Sequence, residues 1–454
     1  YKFNASVTED EKFLFVYVSQ TTSGNALMYK RLDVENSELE MLTNDFQYDF
    51  SVVDQYDNKI LVYTNYKAPN YQLLEVDLAK PQPNQWRAIL PAQSKKVLKG
   101  VSRAGNQLAV QYIENAHMTL SMYDRAGKFL YALPLPDSMG SITGVSSSRK
   151  ETQLFYSYTS YTQAGAILAV DLNTRAQKLW KQPKVDFPSD NYVTRLVYYT
   201  SKDGTKIPMH IIHKKGIQLD GSNPTLLYGY GGFNIPILPS FSVERLPLLE
   251  NGGVYAVANL RGGGEFGKDW HDAGRLLNKQ NVFDDFIAAA EFLIAEGYTS
   301  KQKLAIEGRS NGGLLVGACM TQRPDLFRVA VPIVGVLDML RYHKFTIGRA
   351  WASDYGLSED STEFANLLKY SPLHNVRKEN YPATLVMTAE YDDRVVPAHS
   401  FKFGAALQTN NSSKHPVLLR IDLKAGHGAG KPTEKAIEEA ADKLSFILFN
   451  LGFR

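Results

Sequence analysis

Two different patterns along the 454 residues predict a chain of two domains. Short alternating strands recur in the first part, whereas strands alternate with helices in the second part, which is typical of a mostly parallel sheet covered on both faces. Residues 183–188, which contain two prolines, interrupt the strand pattern between the two parts. We therefore predict a β-domain over residues 1–185 and an α/β domain over residues 186–454.

Four similar strands recur in the first part, and their first residues are 46 to 48 positions apart. That period is typical of the blades of a β-propeller, in which each blade is an antiparallel four-stranded sheet. A β-sandwich is the alternative, and the near-constant spacing disfavours it. The repeated strands begin at Lys12, Lys59, Gln107 and Gln153.

The second part opens with two predicted strands that are joined at Asp203-Gly204, a dipeptide typical of a hairpin turn. Further strands then alternate with stretches that have a helical pattern. The predicted hairpin strands are residues 192–200 and 206–213, and the predicted helices include residues 283–295, 314–322, 398–408 and 434–450.

The most informative motif is the pentapeptide GRSNG at residues 308–312, which lies between a predicted strand and a predicted helix. A G-x-S-x-G sequence at such a junction holds its serine on a sharp turn, with the hydroxyl above the sheet. Because a serine hydroxyl is a poor nucleophile at neutral pH, it requires an imidazole to accept its proton and a carboxylate to orient that imidazole. Ser310 is therefore the candidate nucleophile.

Both partners that a nucleophilic serine requires occur downstream. Asp392 and Asp393 follow the predicted strand at residues 383–389, and His427 follows the strand at residues 417–422 in a glycine-flanked loop. The order Ser, Asp, His is that of the α/β-hydrolase triad. His427 is the candidate base, while the residues alone leave Asp392 and Asp393 equally possible as the acid.

Acyl transfer also requires donors for the oxyanion that develops on the attacked carbonyl. The amide of Asn311, directly after the nucleophile, is the first candidate. An early predicted strand at residues 225–228 runs into a glycine-rich turn, where α/β-hydrolases place the second donor. That donor is either a backbone amide of the turn or the hydroxyl of Tyr230.

These motifs resemble the conserved blocks of the prolyl oligopeptidase family. The resemblance extends over most of the chain from about residue 206 to the C-terminus. The matching segments are YGYGGF at residues 228–233, NLRGGGEFG at 259–267, SNGGLL at 310–315, Ala350-Trp351 with Asp354-Tyr355-Gly356, DDRVVP at 392–397 and AGHGAG at 425–430.

The resemblance implies a serine peptidase that cleaves short peptides on the carboxyl side of proline. It implies that Ser310, Asp392 and His427 form the triad, and so it selects Asp392 over Asp393. It also implies that the Tyr230 hydroxyl and the Asn311 amide are the oxyanion donors.

The same resemblance assigns a substrate pocket. A proline ring is flat and apolar and has no donor of its own, so aromatic and aliphatic side chains suit it better than charged ones. Arg394 is similar to the arginine with which the family binds a substrate carbonyl. The implied pocket residues are Phe233, Val336, Trp351, Tyr355 and Val395.

Two alternative functions remain open at this point. Most members of the family have glycine where this chain has Arg309, and an arginine there is similar to relatives that cleave after Arg and Lys. Asn311 and Trp351 favour the proline-specific enzymes. The second alternative is a catalytically inactive peptide-binding or scaffold module, which the intact Ser, Asp and His disfavour.

The resemblance also implies a propeller of seven blades, whereas the residues before Asp186 have room for about four. The chain also begins at Tyr1 without a methionine. We therefore expect a partial propeller in a chain that lacks an N-terminal part. Because open blade edges and apolar faces tend to pair, we expect either that missing part or an oligomeric contact to cover them.

Composition argues against several other classes of function. The formal charge of +3 is small for this length, and the absence of a basic block argues against nucleic acids and anionic membranes as partners. No apolar run approaches the length of about 20 residues that a membrane span requires. We expect no metal and no cofactor, because neither a Cys/His cluster at metal-ligand spacing nor a phosphate-binding glycine loop is present.

The single cysteine, Cys319, excludes an internal disulfide, and we expect it to be a small buried side chain. We expect a cytoplasmic location. A periplasmic location is the alternative, since this sequence does not reveal a signal region.

Overall fold

The computed structural model describes residues 1–428 and 430–453. Ala429, which belongs to the AGHGAG segment, lies outside the described residues. Contacts divide the chain into two compact units. The first unit contains Tyr1–Asp186, Leu238–Phe241 and Glu265–Asp269, and the second contains Phe187–Ile237, Ser242–Gly264 and Trp270–Arg454.

The first unit contains, within the described residues, four antiparallel sheets of four strands, and each sheet is built from consecutive strands of the chain. The strands that the sequence repeat predicts are the second strands of these sheets. The four sheets are β1 (Lys2–Val7), β2 (Phe13–Ser19), β3 (Ala26–Arg31) and β4 (Glu40–Thr43); β5 (Phe50–Tyr56), β6 (Lys59–Thr64), β7 (Gln72–Asp77) and β8 (Arg87–Leu90); β9 (Val97–Ala104), β10 (Gln107–Glu114), β11 (His117–Asp124) and β12 (Phe129–Leu133); β13 (Gly140–Ser146), β14 (Gln153–Ser160), β15 (Ala166–Asp171) and β16 (Gln177–Lys181).

The second and third sheets of the first unit have central strands that are buried on both faces. Strand β6 illustrates this, because successive side chains of a strand point to opposite faces. Ile60 and Val62 join the apolar cluster that contains Phe13 and Phe15 of β2. Leu61, between them, joins a second cluster with residues of the third and fourth sheets. Face-to-face packing of successive sheets is the arrangement expected of propeller blades.

The second unit is built on one eight-stranded sheet of described strands. Its strands are β17 (Tyr192–Thr200), β18 (Lys206–Lys214), β19 (Thr225–Tyr228), β20 (Val254–Ala258), β21 (Leu304–Arg309), β22 (Val329–Ile333), β23 (Ala383–Ala389) and β24 (Val417–Asp422). The spatial order is β17-β18-β20-β19-β21-β22-β23-β24. The pairs β17–β18 and β18–β20 are antiparallel, and all the other pairs are parallel.

Helices connect the strands of this sheet. Their bounds are α1 (Leu246–Glu250), α2 (Lys268–Asp272), α3 (Gln280–Ala295), α4 (Asn311–Gln322), α5 (Ala352–Tyr355), α6 (Ser361–Tyr370), α7 (Ala398–Asn410) and α8 (Thr433–Asn450). The four predicted helices correspond to α3, α4, α7 and α8. No helix among the described residues combines the length and the apolar character needed to cross a membrane.

Helices α3 and α4 enclose the core of the second unit. The buried side chains of α3, among them Phe283, Phe286 and Leu293, recur at helical spacing and pack on the sheet. Helix α4 is buried from Asn311 to Met320 and carries Cys319, which is fully buried as expected. Buried helices therefore pack against the sheet at the point where β21 turns into α4.

The parallel topology determines which loops meet. The carboxyl ends of parallel strands lie at one edge of a sheet, and ligand sites of α/β proteins form there. The turn after β19 contains Tyr230, and Ser310 directly follows β21. Asp392 and His427 follow the neighbouring strands β23 and β24. Segments far apart in the sequence are thus brought to a single edge.

Truncation of a core side chain tests the packing of the second unit. We expect Phe286→Ala to lower the free energy of unfolding by about 3–5 kcal/mol, because the fully buried ring leaves a cavity behind α3. Phe449→Ala is the matched control, since that ring is 77% exposed, and it should change the free energy by about 0.5 kcal/mol or less. Guanidinium denaturation of both variants measures the difference, and equal losses would contradict this packing.

Candidate active site

Ser310 occupies a strained turn between β21 and α4. Its backbone angles are φ +60° and ψ −116°, a region that residues other than glycine rarely adopt. The amide of Ser310 donates to the carbonyl oxygen of Ile333 at 2.8 Å, and its own carbonyl accepts from Gly313 at 2.8 Å and Leu314 at 3.1 Å. The turn is thus bonded on both sides, which is how a structure sustains an unfavourable conformation.

The glycines of the motif permit this close junction of strand and helix. A methyl group at Gly308 would collide with the carbonyl of Gly312. One at Gly312 would lie 2.8 Å from the carbonyl oxygen of Gly229, and one at Gly313 would lie 2.6 Å from the Cα of Gly335. Any side chain at these positions would push α4 away from the sheet and would open the turn that presents Ser310.

Asp392 and His427 are joined by a hydrogen bond of 2.7 Å between Oδ2 and Nδ1. Asp392 is buried, and its Oδ1 accepts the backbone amides of Arg394 at 3.0 Å and Val395 at 2.8 Å. Asp393 is exposed. The carboxylate that contacts the imidazole is therefore Asp392, fixed on one oxygen by two amides and free to orient His427 with the other.

This contact fixes the tautomer of a neutral His427. An ionised carboxylate can only accept, so Nδ1 donates and carries the proton. Nε2 then has a free lone pair, which is the form of imidazole that can accept a proton from a hydroxyl.

The loop that carries His427 is tied to the residue before the candidate nucleophile. Arg309 donates from Nη1 to the carbonyl oxygen of His427 at 3.1 Å, and its Nη2 forms an ion pair with Glu439 of α8. Lys431 forms a second ion pair with Glu439. Arg309 therefore points toward α8 and the histidine loop, and its contacts are structural.

Among the described residues, the Ser310 hydroxyl makes no hydrogen bond to His427. Such catalytic hydrogen bonds are often long in the absence of substrate and shorten when it binds. The contact of Arg309, the residue before Ser310, with the His427 carbonyl links the histidine loop to the turn.

The two candidate oxyanion donors are linked through the Asn311 side chain. Asn311 begins α4, so its backbone amide is one of the first amides of the helix and has no acceptor within the helix. Its side-chain nitrogen donates to the carbonyl oxygen of Tyr230, and its side-chain oxygen accepts the Tyr355 hydroxyl at 2.9 Å. The elbow and the turn after β19 are thereby held together.

The Tyr230 hydroxyl remains a donor over the whole neutral range. Burial raises the pKa of this phenol, the neighbouring Tyr228 and Asp354 raise it further, and the cationic Arg394 opposes the shift. A protonated phenol can donate a hydrogen bond to a developing oxyanion.

The predicted pocket residues are buried or partly buried in the core of the second unit. Trp351, Tyr355, Val336 and Val395 belong to one buried apolar cluster, and Phe233 is partly buried against it. The ring of Phe233 meets that of Tyr355 edge-on, with centroids 5.4 Å apart. Because the Tyr355 hydroxyl also bonds to Asn311, these two rings lie next to the elbow.

Arg394 differs from these pocket residues in being exposed. Its backbone amide binds Asp392, whereas its charged side chain is directed toward solvent near the site. A guanidinium in that position is available to donate to a carbonyl oxygen of a bound molecule.

Sequence reasoning missed a buried polar group behind the turn after β19. Asp354 is buried, and it accepts the amide of Phe233 and Nε2 of His271, each at 2.9 Å. Burial favours the neutral acid, but the hydrogen bond from His271 and its charge lower the pKa of Asp354 below its usual value. Lys279, also buried, lies close by. The only signal in the sequence was the position of Asp354 within a family block.

The described residues contain no group of three or more His, Cys, Asp and Glu side chains arranged to hold a metal ion. The site as described consists of a hydroxyl, an imidazole, a carboxylate and hydrogen-bond donors. That set is suited to acyl transfer through a serine.

The role of the buried carboxylate can be tested without a known substrate. We expect Asp392→Asn to slow fluorophosphonate labelling of Ser310 on the order of 10⁴-fold, because an amide holds the imidazole in the wrong tautomer. Asp393→Asn is the matched control and should label at the wild-type rate. Time courses of labelling measure both, and equal rates in the two variants would contradict the assignment of the acid.

Two family models match this chain. Residues 1–183 match the family model described as the N-terminal β-propeller domain of prolyl oligopeptidase. Residues 239–454 match the model described as the prolyl oligopeptidase family. One model thus matches the four-sheet part of the first unit, and the other matches most of the second unit.

Named relatives agree with these matches. The prolyl endopeptidase of Elizabethkingia miricola is 47% identical over 450 residues, which are 99% of this chain and 63% of the relative. Prolyl oligopeptidase A of Amanita bisporigera is 40% identical over an alignment of 464 positions, gaps included, which covers 99% of this chain and 61% of that protein. The chain thus spans somewhat less than two thirds of the length of these relatives.

Solved structures give the same result. A chain from a structural study of two prolyl endopeptidases has a TM-score of 0.96 and 42% identity, and the match covers 100% of this chain and 66% of that one. Prolyl oligopeptidase B of Galerina marginata, bound to a 35mer substrate, has a TM-score of 0.95 and 37% identity, with coverages of 100% and 65%. This chain belongs to the prolyl oligopeptidase family.

Proposed function

We propose that this chain is a serine endopeptidase that hydrolyses peptides on the carboxyl side of proline through an acyl-enzyme. The observation that carries the proposal is the hydrogen bond between His427 and the buried Asp392, at the sheet edge where Ser310 stands on its strained turn. A surface histidine needs no buried carboxylate partner, whereas a general base does.

The reaction begins with proton transfer from serine. His427 accepts the Ser310 proton at Nε2 while the Ser310 oxygen attacks the carbonyl carbon of a proline residue. Asp392 stabilises the resulting imidazolium through Nδ1 and remains ionised. The imidazolium then gives its proton to the leaving amine, and the acyl-enzyme forms.

The negative charge of the tetrahedral intermediate requires fixed donors. The Asn311 amide and the Tyr230 hydroxyl fulfil this role in the proposal, because one begins a helix and the other stays protonated. Water then attacks the acyl-enzyme by the same route, and His427 serves as the base a second time.

Specificity for proline follows from the character of the pocket residues. Phe233, Trp351 and Tyr355 have flat aromatic rings, and Val336 and Val395 belong to the same apolar core as these rings. A pyrrolidine ring makes full contact with such surfaces and leaves no polar group unsatisfied. Arg394 is proposed to bind a carbonyl of the substrate, since it is an exposed cation whose backbone amide bonds to Asp392.

The substrates are proposed to be short proline-containing peptides. The related Galerina marginata enzyme binds a 35mer, which supports peptides up to tens of residues in length.

We further propose that the four sheets of the first unit are four of the seven blades that the family resemblance implies. The repeat of about 47 residues supports this proposal, because it lies in the range of one propeller blade.

Two reporter amides test the proposed specificity. We expect a Gly-Pro amide to be hydrolysed with a kcat/KM at least on the order of 10²-fold above that of an Arg amide, because a guanidinium buried among the pocket aromatics would be unpaired. Ser310→Ala should abolish turnover and leave the thermal unfolding temperature unchanged. Faster cleavage of the Arg amide, or full activity of Ser310→Ala, would contradict the proposal.

A further inference from the structure

Lys279 is a buried lysine that the proposed mechanism does not use. It directly precedes α3 and is 1% exposed. A lysine is almost never fully buried unless its ammonium group is bonded, because removal of the charge from water is costly. Its position therefore requires a reason beyond the packing of α3.

The ammonium group of Lys279 binds two neutral oxygens. Nζ donates to the carbonyl oxygen of Gly231 at 2.7 Å and to the side-chain oxygen of Asn311 at 3.3 Å. It also lies 5.5 Å from the ring centroid of Tyr355, within the range of a cation–π interaction. These contacts orient the ammonium group toward the elbow.

The two acceptors belong to the two segments that carry the oxyanion donors. Gly231 follows Tyr230 in the turn after β19, and Asn311 supplies the backbone amide. Asn311 also donates from its side chain to the Tyr230 carbonyl. A single cation thus bonds directly to both segments, through atoms other than the two oxyanion donors.

The absence of a side chain at Gly232 makes this arrangement possible. A methyl group there would lie 2.7 Å from the side-chain nitrogen of Asn311. Together with the hydroxyl of Tyr355, which donates to the same Asn311 oxygen, Lys279 leaves Asn311 one allowed orientation. The spacing between the Tyr230 and Asn311 segments is therefore set by hydrogen bonds around one side chain.

We propose that Lys279 is a positioning residue that holds the Tyr230 turn and the Asn311 helix start at the separation an oxyanion needs, and that its charge favours the oxyanion. This inference rests on the proposed peptidase function. Binding energy realised at the oxyanion appears in the transition state and not in the ground state. Loss of Lys279 should therefore lower kcat and leave KM nearly unchanged.

The charge of Lys279 offers a readout that separates electrostatics from packing. Burial lowers the pKa of Lys279 to about 8, and Asp354 opposes the shift. Tyr355 is the titratable side chain whose ring lies beside it, and His271 bonds to Asp354. Below pH 8 the group is a cation, whereas above it the neutral amine can still donate hydrogen bonds but has lost its charge.

The test compares Lys279→Met with Lys443→Met on the Gly-Pro amide. Lys443 is a matched control, because it is a buried lysine of the same unit whose ammonium group binds Glu307 and Glu244. We expect Lys279→Met to lower kcat by about 10²–10³-fold, the effect of a lost oxyanion donor, with KM changed by less than about threefold. Lys443→Met should keep the wild-type kcat even where it lowers the unfolding temperature.

Two further measurements complete the test. The affinity for a peptidyl proline aldehyde, whose adduct places an oxyanion-like oxygen in the site, should fall with kcat in Lys279→Met, whereas the affinity for a proline-ended product peptide should not. The kcat of the wild type should fall as the pH rises through about 8. That fall should be absent from Lys279→Gln, which also serves if Lys279→Met does not fold.

The experiments distinguish a failure of the proposed peptidase function from a failure of the proposed role of Lys279. A wild-type chain that neither cleaves the Gly-Pro amide nor reacts with a fluorophosphonate would refute the peptidase function itself. An active wild type with a folded Lys279→Met or Lys279→Gln variant of equal kcat and equal aldehyde affinity would overturn the role of Lys279 alone. If Lys279→Met and Lys443→Met lowered kcat by the same factor, that result would also overturn the role of Lys279.

Discussion

The close approach of β21 and α4 is the constraint on which the rest of the site depends. Ser310 has a positive φ because strand and helix meet without room for a relaxed turn, and Gly308, Gly312 and Gly313 make that approach possible. A conformation of this kind costs on the order of 1–3 kcal/mol and persists only where surrounding bonds determine it. Here the carbonyl of Ile333 and the first amides of α4 supply those bonds.

This junction also determines the orientation of the remaining parts. Because α4 starts directly after Ser310, the amide of Asn311 is one of the first amides of the helix and has no acceptor within it. The parallel strands on either side bring Tyr230 and Asp392 to the same edge. The polar groups below this edge, Asn311, Lys279 and Asp354, are buried and bonded to backbone atoms of the same turns. A buried network of this type specifies one arrangement, because any other leaves polar groups unsatisfied.

The sequence predicted the features that short local patterns encode. The elbow was recognisable because glycine is needed on both sides of Ser310, and the four repeated strands were recognisable from their spacing. Other features depend on contacts between distant segments. Asp392 and Asp393 are chemically identical neighbours, and only the amides of Arg394 and Val395 and the contact with His427 distinguish them. The residues alone therefore left that choice open.

Lys279 shows the same limit more clearly. A lone lysine before a helix is usually a solvated side chain. Its burial results from the meeting of the turn after β19, the start of α4 and the segment of Tyr355, none of which adjoins it in the sequence. The start of α4 was likewise predicted at residue 314, because its first glycines are poor helix formers in isolation. In the structure, close packing against Gly229 and Gly335 outweighs that preference.

A structure of the chain after reaction with a peptidyl proline aldehyde tests the central claim most directly. The account predicts a covalent bond from Ser310, with the adduct oxygen about 2.7–3.1 Å from both the Asn311 amide and the Tyr230 hydroxyl. It also predicts that Nε2 of His427 lies within hydrogen-bond distance of the Ser310 oxygen while Nδ1 keeps its bond to Asp392. An adduct oxygen directed away from both donors, or an imidazole that stays apart from Ser310, would contradict it.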